Sequence, residues 1–168
     1  VEFEMEDFQL IPAETNHGEM NIVRFKNGSS LLEKGSPDLH KYSRSIIIPD
    51  DANMHLEVIF SSYTDYENIL IAPSKGNLTR SINPKNVAFD FGIAYQKNSF
   101  FPSSLAKLQK PYILRNLRGQ TIDFYPIQYN PMTQTLRVFD QIKIKVFSDG
   151  KSELNVLNRS SSKQFISK

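Results

Sequence analysis

Apolar and polar residues alternate with a period of two through most of this chain, which leaves little room for helices. Val1, Phe3 and Met5 alternate with Glu2, Glu4 and Glu6, and Leu56, Val58 and Phe60 with His55, Glu57 and Ile59. Ile142, Ile144 and Val146 alternate with Gln141, Lys143 and Lys145. Such a pattern sends one face of a strand to a core and the other to water, as in an antiparallel sheet. The same reading places strands at Met20–Phe25, Ser43–Ile48, Tyr66–Ala72, Val87–Phe91, Tyr112–Leu117, Thr121–Tyr129 and Thr135–Phe139. The continuous runs Ile46–Ile48 and Ile69–Ile71 read as strands covered on both sides. The nearest approach to a helical stripe is a turn or two at Ser103–Gln109, after Pro102.

Turn chemistry separates these runs at intervals of about 8–12 residues. Lys26-Asn-Gly28, Lys34-Gly-Ser-Pro37, Pro49-Asp-Asp51, Ser74-Lys-Gly76, Asn83-Pro84, Arg118-Gly119, Asn130-Pro131 and Ser148-Asp-Gly150 all carry residues that tolerate positive φ or preset it. Asn130–Gln134 lies between two alternating runs, so Thr121–Tyr129 and Thr135–Phe139 are expected to form a hairpin. The pattern predicts an all-β chain: an antiparallel β-sandwich of about eight to ten short strands, jelly-roll or Greek-key rather than meander, with at most short helical turns. A chain of 168 residues suits one domain. Residues 1–150 are expected to form the sandwich. Residues 151–168 are rich in Ser, Asn and Lys, with only Leu154, Val156, Leu157, Phe165 and Ile166 as a weak apolar set, and read as a polar C-terminal linker.

Composition removes several functions. With no cysteine the chain offers no thiol nucleophile, disulfide framework, thiolate zinc site or iron–sulfur cluster. Twenty basic against 18 acidic residues make no basic field for nucleic acid. No apolar run approaches the ~20 residues of a membrane span. Val1–Asp7 have nothing of a signal peptide's make-up, so an export signal is expected to be absent from this chain. The lack of cysteine fits a secreted chain as readily as a cytosolic one.

No catalytic constellation emerges. His17 and His40 fall in predicted loops, His55 opens a strand, and no two have a metal-ligand spacing. The carboxylates Asp7, Glu14, Glu33, Asp65, Glu67 and Asp90 are scattered over predicted outer faces and turns. Nucleophile-elbow, phosphate-loop and dinucleotide motifs are missing. The chain is therefore expected to be no enzyme, with no metal, no cofactor and no catalytic residue, and to act as a binding module.

Two stretches stand out. Asn68–Pro84 runs from a buried-looking strand through Pro73 into a polar loop carrying Lys75, Thr79, Arg80 and Ser81 before Asn83-Pro84 redirects it. Loops that leave a rigid sheet commonly carry binding residues. Arg80 is either a solvated loop arginine or a presented fork that pairs with a partner's carboxylate. Tyr112–Phe139 is dense in aromatics and arginines, and burial of Ile122, Phe124, Leu136 and Val138 accounts for most of its apolar content. A carbohydrate-binding or adhesion module would instead use an aromatic platform from Tyr63, Tyr66, Tyr95, Tyr125 or Tyr129.

The segments Glu33-Lys-Gly-Ser-Pro37 with Ser43-Arg-Ser45, Ile69–Gly76, Phe100-Phe-Pro102, Tyr112–Gln120 and Gln128–Arg137 resemble, in this order, the N-terminal propeptide of gingipain-type cysteine proteases, secreted by Bacteroidetes. The resemblance runs from Val1 to about Phe147 and is nearer the arginine-specific branch, because the loop offers Arg80. It implies a secreted, noncatalytic β-sandwich prodomain. Such a prodomain binds its own cysteine-protease catalytic domain, keeps it latent and assists its folding. It also implies that a basic loop side chain enters the protease's specificity pocket, which gives Arg80 that role, with Lys75, Thr79 and Ser81 beside it. A loop pinned at the strand end near Ala72 and at Pro84 can fill the pocket yet hold its carbonyl out of line for attack. The polar tail then reads as the junction to the catalytic domain, with Arg159 or Lys168 as possible cut points. A free-standing secreted inhibitor is the remaining alternative.

Overall fold

Strands of matching period have paired across long stretches of sequence. The structure, a computed structural model, describes residues 1–159; residues 160–168 of the expected linker, with Phe165, Ile166 and Lys168, lie outside the described residues. Eleven strands form among the described residues: β1 (Glu2–Glu4), β2 (Phe8–Thr15), β3 (Gly18–Phe25), β4 (Ser29–Ser30), β5 (His40–Ile47), β6 (Ala52–Tyr66), β7 (Ala106–Leu108), β8 (Tyr112–Leu114), β9 (Leu117–Phe124), β10 (Ile127–Asn130) and β11 (Thr135–Lys151).

All paired strands are antiparallel. In one sheet β11 is central, with β6 along one side. β10 and β1 share the other side end to end, opposite Thr135–Val138 and Gln141–Lys143. In the second sheet the order is β4-β5-β9, and β7 and β8 share the far side of β9. β2 and β3 form a separate hairpin from Phe8↔Phe25 to Thr15↔Gly18. The order is no meander, as expected, because β5 pairs with β9 and β6 with β11. The two large sheets face each other through aromatic contacts: the Phe3 ring of β1 lies 5.8 Å from Phe124 of β9 and 5.3 Å from Tyr42 of β5. Ile122, Ile127, Leu136, Ile142 and Ile144 complete the buried layer between them. Each such side chain contributes about 1.5–3 kcal/mol by leaving water.

Several local expectations give way to tertiary pairing. The strand expected at Tyr66–Ala72 ends at Tyr66; Asn68 turns the chain at φ 57°, and Ile71 keeps only one bridge, to Asn21. Ile46–Ile48 is not covered on both sides, since Ile47 is 72% exposed on the open face of its sheet. Ser103–Gln109 is not helical. Its Ala106–Leu108 edge pairs with β9, and a few tenths of a kcal/mol of helix propensity cannot compete with a ladder. Val87–Phe91 stays irregular, and short 3-10 turns occur at Pro84–Asn86 and Ile93–Gln96 instead. Thr121–Tyr129 breaks at Tyr125-Pro126, where proline has no N–H for the ladder, but the expected hairpin onto Thr135–Phe139 forms as β10–β11. β2 has no counterpart among the expected strands, because Ile11-Pro12 interrupts its alternation. β6 and β11, of 15 and 17 residues, are not short, and the turns expected at Arg118-Gly119 and Ser148-Asp-Gly150 lie inside β9 and β11, the second as a register shift between Ser148 and Lys151.

The interior holds charge. Arg118 of β9 is 1% exposed. Its guanidinium donates to the carbonyls of Pro49, Ala52 and Asn155, each at 2.8 Å, and of Leu154 at 2.9 Å. Asp123, also buried, accepts from Lys41 Nζ at 2.6 Å, Ser43 Oγ at 2.5 Å and Gln109 Nε2 at 2.7 Å. Burying such groups without partners would be prohibitive, so each must be surrounded as these are. The segment after β11 is tied to the same corner. Ser152 N donates to Asp51 O at 2.7 Å, Leu157 N to Asp50 O at 3.0 Å, and Asn155 Nδ2 to Pro111 O at 2.6 Å. The Arg159 guanidinium grips both oxygens of Asp50. Residues 152–159 of the expected linker are thus strapped onto the sandwich.

Arg118→Met leaves four carbonyls without their donor, that of Ala52 fully buried, and is expected to cost about 3 kcal/mol, read as a lowered urea midpoint. A pH effect follows from His40, which is buried against Phe25 with its Nδ1 unpartnered. Burial, and then the Arg24 charge, lower its pKa against the smaller upward pulls of Asp38 and the Phe25 backbone. The folded state therefore prefers neutral His40. Its contribution is complete above the ordinary value of about 6.5 and is lost as pH falls through the lowered folded value. The urea midpoint should drop between pH 7 and pH 5, and His40→Asn should flatten that slope. Asp50 and Asp65, held low by hydrogen bonds from Arg159 and Arg137, lose their contribution only in more acidic solution.

Candidate functional site

Positive-φ glycines and buried hydroxyls give the loop after Ile71 a firm root. Ile71 to Ser74 are all buried. They lie against the turn at Glu33–Pro37: Asp38 N donates to Ala72 O at 2.9 Å, Ser74 N to Ser36 O at 2.8 Å, and Gly35 N to Ser74 O at 3.0 Å. The returning limb rests on the same turn, with Gly92 N donating to Gly35 O at 2.9 Å. Gly35 has φ 80°, and a Cβ there would stand 3.2 Å from Gly92 Cα, so the two limbs meet where only glycine fits. From behind, Tyr129 Oη donates to Ile69 O at 2.9 Å and Tyr95 Oη to Ile71 O at 2.8 Å. Burial pushes both phenols up, so they stay protonated donors. His17, at the β2–β3 turn, stacks 4.1 Å from Phe91 on the returning limb.

The loop closes again above this root. Lys75 Nζ donates to Pro84 O at 2.7 Å and lies 4.2 Å over the Phe89 ring. Asn83 Oδ1 accepts from Lys85 N at 3.0 Å and caps the 3-10 turn that follows. Residues whose ends meet in this way form a compact surface loop. At its tip Ile82 N donates to Thr79 O at 3.0 Å, making a β-turn with Arg80 and Ser81 in the two central positions. The Thr79 and Ser81 hydroxyls are 3.0 Å apart. Thr79 to Asn86 are all exposed. Among the described residues the ion pairs engage other cations and leave Arg80 without a carboxylate partner. Two basic side chains of one loop thus point to different surroundings: Lys75 inward, onto the loop's own neck, and Arg80 outward.

The other groups singled out from the sequence lie apart. His40 is buried, and His55 sits beside Asn53 Nδ2 at 3.0 Å on β6. Asp65 binds Arg137 through two bonds of 2.8 Å, and the guanidinium lies 4.0 Å from the Tyr63 centroid and 4.2 Å from that of Phe100. Glu33 accepts from Ser36 Oγ at 2.7 Å, Asp7 from Phe8 N at 2.8 Å, and Asp90 lies 3.8 Å from Lys34. Among the described residues no three His, Asp or Glu side chains gather as metal ligands. The five tyrosines of the aromatic platform are not brought together. Tyr95 and Tyr129 support the loop root, Tyr125 is buried, and Tyr63 and Tyr66 are exposed on β6. Sequence reasoning missed Gly35, Gly92, Tyr95 and Tyr129 as the loop's supports; the short motifs that contain Gly35 and Tyr129 were its only signal.

Known proteins share this arrangement. The family model Propeptide_C25 matches residues 1–167. Gingipain R1 of Porphyromonas gingivalis is 38% identical over 159 residues, which are 95% of this chain and 16% of that protein. Lys-gingipain HG66 of the same organism is 24% identical over 160 residues, 90% of this chain and 9% of that protein. This chain therefore spans a small part of the length of the relatives it matches, and the higher identity lies with gingipain R. Among solved structures, one described as a complex of Porphyromonas gingivalis RgpB pro- and mature domains superposes with a TM-score of 0.89 at 35% identity, covering 92% of this chain and 82% of that one. A structure addressing the zymogenic latency of gingipain K shares the fold, with a TM-score of 0.75 at 22% identity over 89% of this chain and 85% of that one.

The root's geometry makes one glycine costly to replace. Gly76, at φ 82°, would bring a Cβ to 2.9 Å from Lys34 Cβ, whereas Gly150, at φ 72°, has open space around it. Gly150→Ala should lose only the conformational part, about 1–2 kcal/mol. Gly76→Ala should lose measurably more in the same denaturation experiment.

Proposed function

The chain belongs to the Propeptide_C25 family, and from that membership we propose that it is the noncatalytic prodomain of a secreted gingipain-like cysteine protease. Its partner is the catalytic domain of that protease, which it keeps latent during export and helps to fold. In this reading residues 1–150 form the inhibitory unit and residues 151–168 belong to its junction with that domain.

One observation carries the mechanism. Arg80 stands at an exposed turn, without a carboxylate partner among the described residues, on a loop anchored at root and neck. A guanidinium held this way is ready to enter an acidic specificity pocket, where its planar fork pairs with a carboxylate in the manner of a substrate arginine. Because the loop is largely ordered before binding, little conformational freedom is lost on docking. Thr79 and Ser81 shape the turn on either side of the inserted side chain.

Losing one partner of a desolvated charge pair costs about 2–5 kcal/mol. Arg80→Ala should therefore weaken inhibition of an arginine-specific gingipain by at least about tenfold while the domain stays folded. Arg80→Lys should also weaken it, since an ammonium cannot reproduce the two-pronged contact. Equal inhibition constants for wild type and Arg80→Ala would overturn the role given to Arg80.

A further inference from the structure

A side chain that fills a protease's specificity pocket also delivers the next peptide bond to the nucleophile. Here that bond, Arg80–Ser81, is the middle bond of a β-turn closed by Ile82 N to Thr79 O at 3.0 Å and by the Thr79–Ser81 hydroxyl contact. Attack needs the scissile carbonyl aligned with nucleophile and oxyanion donors, and a folded turn does not offer that alignment until it opens. How readily it opens depends on the neck.

Lys75 closes the neck. Its ammonium donates to Pro84 O at 2.7 Å across the loop and rests over the Phe89 ring at 4.2 Å, which ties the outgoing limb to the returning one. The carbonyl it grips is held in place, since Pro84 O also accepts from Val87 N at 3.3 Å and the Asn83 cap fixes the start of the same turn. Among the described residues, the other hydrogen bonds between the limbs from Gly76 to Asn83 are those at the tip, Ile82 N to Thr79 O and the Thr79–Ser81 hydroxyl contact.

We infer that Lys75 is not a contact to the protease but a positioning residue, a clasp that keeps the Arg80–Ser81 bond folded in its turn and so slows its cutting. The inference rests on the reading of Arg80 as the residue offered to an arginine-specific protease. It assigns the loop's two cations opposite tasks: Arg80 binds, and Lys75 limits how fast the bound loop is consumed. When cutting requires prior opening, its rate follows the open population, and loss of a charge-assisted hydrogen bond raises that population severalfold.

The test uses trypsin, which cuts after arginine whatever this chain's natural partner. Lys75→Met keeps the aliphatic stem and removes the ammonium. Cutting at Arg80–Ser81, followed by mass, should accelerate at least about fivefold while the melting temperature stays unchanged. Lys75→Arg, which can still reach Pro84 O and cover Phe89, should restore the slow rate. Against an arginine-specific gingipain, Lys75→Met should lose far less initial affinity than Arg80→Ala and lose inhibition faster than wild type. An unchanged trypsin rate in Lys75→Met, or an initial inhibition constant weakened as much as in Arg80→Ala, would overturn the clasp. Failure of the Arg80 reading has a different signature, undiminished inhibition by Arg80→Ala, so the two outcomes are separable.

Discussion

A permanent positive charge lies inside this protein with no carboxylate bonded to it among the described residues, and the crossing from one sheet to the other is tied to it. Arg118 satisfies four of the five donors of its guanidinium with main-chain carbonyls. Two belong to the turn that carries the chain from β5 in one sheet to β6 in the other, and two to the segment that follows β11. An arginine cannot escape burial by giving up its proton, as a lysine can, so its acceptors must all be present together. The requirement joins elements that are far apart in sequence at one corner of the sandwich. Asp123 solves the opposite problem on the same strand, gathering a lysine, a serine and a glutamine around a buried negative charge. Arg118 thus ties β9 to the chain that enters the other sheet, while Asp123 ties it to its own neighbour β5 and to Gln109 just after β7.

The loop inherits that rigidity. Its root is pressed against the Glu33–Pro37 turn and hydrogen-bonded from behind by Tyr95 and Tyr129, whose rings are held in the interior. Only at the tip does polar chemistry turn outward. The contrast between a firmly held base and a guanidinium at the summit with no carboxylate beside it among the described residues is what the proposed inhibitory role requires, because the affinity of such a contact depends on little being ordered when it forms.

The alternation at Phe3, Leu56 and Ile142–Val146 was enough to identify the sheets, and turn residues at Asn130–Gln134 were enough to place the β10–β11 hairpin. Period alone does not say which strand is neighbour to which, so the pairing of β5 with β9 stayed hidden. Local signals failed where tertiary bonds decided the outcome: Ser103–Gln109 looked weakly helical until β9 supplied a ladder, and Pro12 disguised a strand that lies at an edge. Arg118 is indistinguishable in the sequence from Arg115 or Arg137, since nothing in its neighbours records that carbonyls from residues 49 and 154 will arrive. Arg80 was legible as a loop arginine, and the role proposed for it only through the resemblance. Lys75 was legible as a second, supporting or exposed, basic side chain, and its bond to Pro84 O was not.

The contact between β1 and β11 governs the order in which the domain comes into being. Phe3 reaches its place only when Ile142 lies beside it, and the same rings close the space between the sheets. β1 must wait for Gln141–Lys143 before its partner exists. Loop closure on that scale is slow, and proteins dominated by distant pairings fold over milliseconds to seconds rather than microseconds. The interior of the sandwich therefore stays open until β11 is available and shuts in a late step, when that strand pairs and the segment behind it docks under Arg118.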